Sequence, residues 1–135
     1  MKSENWIDIN DNKLKGFEFF NLILAEFPQL EKEMNEWEQD NFHMRMEIFA
    51  EYAIEQIKTG NILELTRCFN FIESKIDEVN SDIENALNVS YCESLLLGDV
   101  AEEMVKIINF MPTKLKSMYL EYKQYYYDLI EKPKK

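Results

Sequence analysis

Three glycines and three prolines are spread over 135 residues, too few turn formers for the many chain reversals of an all-β fold. Isolated glycines also cannot build a glycine-rich phosphate loop, which excludes that route to nucleotide chemistry. His43 is the only histidine. One histidine cannot supply a His-Glu-x-x-His zinc motif, or the two Glu-x-x-His pairs of a di-iron bundle. Ser-His-Asp or Cys-His catalysis would have to recruit that same His43, whose carboxylate neighbours on a helix are Asp40 and Glu47, and no spacing favours it. Paired carboxylates such as Glu102-Glu103 and Asp77-Glu78 occur on any solvated acidic helix. No catalytic residue, cofactor or metal site is therefore expected, and the chain reads as a non-enzyme.

Cysteine is scarce as well. Cys68 and Cys92 both fall among apolar residues in expected helices, and each reads as a free core thiol. No run approaches the roughly 18 apolar residues of a membrane span, and the opening MKSENWIDIN has no apolar leader core. A reduced, cytoplasmic protein is the expectation.

Carboxylates are what the chain has in excess. Asp and Glu number 26 against 15 Lys and Arg, for a formal charge of −11. Such a surface repels phosphate backbones and anionic lipid, so nucleic-acid and membrane binding are disfavoured, and it speeds association with a basic protein. Apolar residues make up 46% of the chain, enough for a core and more than a disordered chain carries. The length suits one domain over residues 1–135, with an irregular lead-in at 1–12 docking through Trp6 and a frayed tail at 131–135.

The apolar spacing is helical throughout. Gly60 can close one helix in a left-handed cap, and Asn61 can open the next with Glu64 three residues on. Ile62, Leu65, Phe69, Ile72 and Ile76 then form one stripe. Ser81-Asp82-Ile83-Glu84 reads as a capping box, and Gly98 followed by Asp99 as another stop and start. Before this central pair, Leu14, Phe17, Phe20, Leu24 and Phe27 mark a first helix, with Ile23 widening the stripe, and Phe27-Pro28 ends it. A charged helix from Pro28 to Gln39 follows, with Leu30, Met34 and Trp37 as its apolar edge. A long helix then runs from Asp40-Asn41 to Thr59 on Phe42, Met46, Phe49, Ala53 and Ile57. Val100, Met104, Ile107 and Ile108 make a short helix before Pro112. Leu115, Met118, Tyr122, Tyr126 and Leu129 line the last one. The expected fold is all-α, with six to seven helices in antiparallel hairpins, as a compact bundle or a short armadillo- or HEAT-like array.

Two features bear on binding. Carboxylates are dense from Glu26 to Asp40 and again around the turn of the central hairpin, giving Glu33, Glu36, Asp40, Asp77, Glu78 and Asp82 as candidate partner-binding residues. Tyr119, Tyr122, Tyr125, Tyr126 and Tyr127 crowd the last helix. Successive residues point about 100° apart, so at least one tyrosine must face solvent.

The Asn61–Leu97 pattern, with Phe69-Asn70-Phe71-Ile72-Glu73 and Ile83-Glu84-Asn85-Ala86-Leu87-Asn88-Val89-Ser90, resembles a small bacterial helical domain family without assigned function, similar to immunity proteins of polymorphic and contact-dependent toxin systems. The resemblance covers the middle and C-terminal two-thirds and carries over no functional residue. It implies a non-catalytic protein that neutralises a cognate basic toxin domain, a nuclease above all, by occluding its active site. An intracellular adaptor or regulatory module is the alternative, with a homodimer seam along the last helix as its mark.

Overall fold

The computed structural model describes residues 13–131; the lead-in with Trp6 and the tail beyond residue 131 lie outside the described residues. Leu14 and Val79 form an isolated parallel bridge. The Leu14 N–H donates to the Glu78 carbonyl at 2.7 Å, and the Asn80 N–H to the Leu14 carbonyl at 2.9 Å. With Leu14 held there, helix α1 (Gly16–Glu26) takes its phase from Gly16. The Phe42 ring lies so close to Gly16 that a Cβ would sit 2.2 Å from it. Phe19, Phe20 and Ile23 are buried, whereas Phe17, expected in the stripe, is 51% exposed. Phe19 takes its place.

Phe27 leaves helical geometry and Pro28 opens a short 3-10 turn, Pro28–Leu30, as the proline requires. Helix α2 is Glu31–Met34 and stops well short of Gln39, leaving Trp37 exposed. Arg45 reaches this end from the next helix. Its Nε donates to the Met34 carbonyl at 3.2 Å, a group that a longer helix would have paired internally, and its Nη2 to Asn35 Oδ1 at 2.9 Å.

Helix α3 (Phe42–Thr59) is capped by Asn41, whose Oδ1 accepts the Met44 N–H. Met46, Phe49, Ala53 and Ile57 are buried, as their spacing requires. Gly60 adopts φ 74°, where a side chain would be strained. Asn61 Oδ1 then accepts the Glu64 N–H and starts α4 (Ile62–Lys75). Leu65, Phe69 and Ile72 are buried, but Ile62 lies on the first turn, above the core, and is exposed.

Helix α5 runs without a break through Ser81–Ala86, a π-helical Leu87–Cys92, and Glu93–Leu97. Its cap is Asn80 and not Ser81: Asn80 Oδ1 accepts the Ile83 N–H at 3.0 Å. The Leu14 bridge pins Val79 and Asn80 in extended geometry, so Asn80 is the residue at which the chain turns helical. Gly98 ends α5, and a Cβ there would meet the Ser94 carbonyl at 2.7 Å. Helix α6 (Ala101–Ile107) begins after Val100, without a side-chain cap from Asp99. Helix α7 (Thr113–Glu131) takes its cap from another helix, because the Glu73 carboxylate accepts the Lys114 and Leu115 N–H groups.

The described residues thus form seven helices around one hydrophobic core. Helix α5 is the central element: it touches α1, α3, α6 and α7, while α4 also packs on α7. Contacts between helices so distant in sequence distinguish a compact bundle from a solenoid, whose units touch only their neighbours. Helix α7 outruns this core. Leu115 and Tyr119 are buried and Tyr122 and Tyr126 half-buried, but Tyr125 is 58% and Leu129, expected in the stripe, 57% exposed.

Candidate protein-binding groove

Along the outer face of α3, two residue stripes with a four-residue repeat run side by side. Met44, Ile48 and Tyr52 form one and Glu47, Glu51 and Glu55 the other, so a helix of 3.6 residues per turn keeps each on its own line. The opposite bank comes from the 3-10 turn and α2, through Leu30 and Glu33. Together they enclose a groove of about 390 Å³. Its floor is apolar: Leu30 is buried, and Met44, Ile48 and Tyr52 are half-buried. Carboxylates stand on both sides, all exposed, and none of the four pairs with a cation among the described residues.

Tyr52 closes one side of the groove and ties it to the rest of the fold. Its hydroxyl accepts from Gln29 Nε2 at 2.7 Å and donates to Glu64. Arg67 Nη1 donates to both Glu64 oxygens, while its Nη2 reaches the Glu26 carbonyl and its guanidinium lies 4.4 Å from the centre of the Phe27 ring. Burial, with the Glu64 bond next, pushes the Tyr52 hydroxyl up to about 12. The Tyr52 bond is the main cause holding the Glu64 carboxyl below its ordinary range. A hydrogen bond to the charged form has that effect. The network links α1, the 3-10 turn, α3 and α4, so the Tyr52 wall is held in place.

The six sequence-predicted residues are all exposed, but they do not converge. Glu33 alone lines the α3 groove. Asp77 lines a different one, against α7; there Lys114 pairs with its carboxylate and Lys13 Nζ donates to its carbonyl at 2.9 Å. Much of the charge at Asp77 is thus met within the chain. Glu36, Asp40, Glu78 and Asp82 line neither groove. The residues missed were Glu47, Glu51 and Glu55. Their signal was the repeat itself, a glutamate four residues after a glutamate where a lysine would stabilise the helix.

The two cysteines belong to the packing, and the histidine does not. Cys68 and Cys92 are free and fully buried, and burial pushes both thiols up to about 12, far from reactive thiolate. His43 is exposed, and its Nδ1 shares a 2.7 Å hydrogen bond with Ser90 Oγ on the π turn. Among the described residues, no three His, Cys, Asp or Glu side chains form a metal-binding group, and no helix is long and apolar enough to cross a membrane.

Fold and groove define an all-α protein with an apolar, carboxylate-flanked concave surface along α3. Residues 20–127 match one family model, and the chain belongs to that family, described as "Domain of unknown function (DUF7674)". No curated protein and no solved structure matches it.

Proposed function

We propose that this chain is a non-catalytic, immunity-type protein that binds a cognate basic toxin domain, of the nuclease class, and neutralises it by covering its active cleft. The observation that carries the reading is the α3 groove, an apolar floor between two acidic banks that meet no cation among the described residues. Apolar burial supplies affinity, and the carboxylates select and steer a basic partner. The net charge of −11 extends the same field over the whole molecule, and nucleases are basic where they grip phosphate. The resemblance of the Asn61–Leu97 pattern to immunity proteins supports the same assignment.

A second reading, an intracellular adaptor or regulatory module, draws on the far end of α7, where Tyr125, Leu129 and Ile130 are exposed. Capture from host extract at low and high salt separates the two. The wild-type bait is expected to retain one basic protein, to release it in salt, and to inhibit that protein's activity. A bait carrying Glu47→Lys and Glu51→Lys is expected to lose it. A partner held equally by both baits, or a symmetric dimer with no basic protein bound, would favour the adaptor.

A further inference from the structure

The two stripes of α3 restrict the shape of what can fill the groove as well as its charge. Each repeats every four residues, which at 1.5 Å per residue is about 6 Å, and each spans about 12 Å, or roughly two helical turns. A complementary element must present apolar and cationic side chains on adjacent parallel lines at that repeat. An extended strand fails this requirement, because its successive side chains point to opposite faces; it can offer the groove one line or the other. A helix meets it, because positions four apart share a line and the neighbouring line lies beside it.

Glu33 on the far bank adds a second condition. With acid on both sides of an apolar floor, the matching surface is a narrow apolar ridge with cations on each flank. From this complementarity of charge and repeat, we infer that the partner segment seated in the α3 groove is a basic amphipathic α-helix, bound by its apolar ridge in the helix-in-groove mode. The inference rests on the binding reading proposed above and adds the form of the ligand.

The test uses the intact protein and three labelled peptides of identical composition, followed by fluorescence anisotropy. The first is a stapled helix with leucine and lysine each at every fourth position on adjacent lines. The second is a stapled helix with those residues scattered around its circumference. The third is unstapled, with lysine and leucine alternating. The first is expected to bind at least about tenfold more tightly than either control, a difference of about 1.4 kcal/mol, and to lose that advantage on Glu51→Lys, at an exposed position. Equal binding by the scattered helix or by the alternating peptide would overturn the inference, as would indifference to Glu51→Lys. Its failure is separable from that of the binding reading. If reversal at Glu47 and Glu51 still releases an intact basic partner while the first peptide has no advantage, the helical form of the ligand is wrong and the groove stands. If the intact partner ignores that reversal, the binding reading itself fails.

Discussion

Tyr91 puts a phenol hydroxyl into the centre of the protein, fully buried and with no hydrogen-bond partner among the described residues. Its ring lies 5.7 Å from that of Phe49, and burial raises its pKa well above the usual tyrosine value. An unsatisfied buried hydroxyl costs about 1–3 kcal/mol, whereas the ring itself contributes apolar packing. Tyr91→Phe removes the first and keeps the second. The variant is expected to be more stable by roughly 1 kcal/mol in chemical denaturation; a loss of stability would mean that the hydroxyl has a partner. Arg45 is the contrasting case. It too is buried, and burial lowers its pKa, but the Met34 carbonyl, Asn35 and the face of Phe20 surround its guanidinium. Nothing local in the sequence separates these two residues, because what decides each is whether a group from elsewhere in the chain reaches it.

Among the elements, helix interiors were legible in the sequence and helix ends only in part. Met46, Phe49, Ala53 and Ile57 could be read from spacing because α3 begins and ends on local signals, Asn41 and Gly60. Helix α1 could not be phased in the same way. Leu14 belongs to a bridge with Val79, 65 positions along the chain, and that contact puts Phe19 inside and Phe17 outside. The same bridge moves the cap of α5 from Ser81 to Asn80, a displacement that yields a direct comparison. Asn80→Ala is expected to destabilise the protein by about 1 kcal/mol and Ser81→Ala by a few tenths. A thermal or urea melt of the two variants measures the difference, and the reverse order would restore Ser81 as the cap. The candidate site was legible to a similar degree. Glu33 was found from charge density, but density along the sequence does not indicate a concave surface. The groove comes from a four-residue repeat on α3 facing a turn fixed by Pro28.

At the scale of the whole molecule, α1, α3, α6 and α7 pack on α5 among the described residues, and the all-α class follows from helical spacing that no strand-like alternation disputes. The acidic field has a less obvious cost. Glu47, Glu51 and Glu55 form successive like-charge pairs on one helix, each destabilising by a few tenths of a kcal/mol. Neutralising them should therefore leave the fold as stable as before or slightly more so, and any loss of binding cannot be ascribed to unfolding. Association kinetics with the captured basic partner across a range of ionic strength, for wild type and for Glu47→Gln, Glu51→Gln and Glu55→Gln combined, decide whether the acidic groove on α3 is where that partner binds. Binding through the groove is expected to weaken at least about tenfold in the triple variant, through slower association and a flatter salt dependence. The same affinity and the same salt slope in both proteins would contradict it, and would place the partner on another surface.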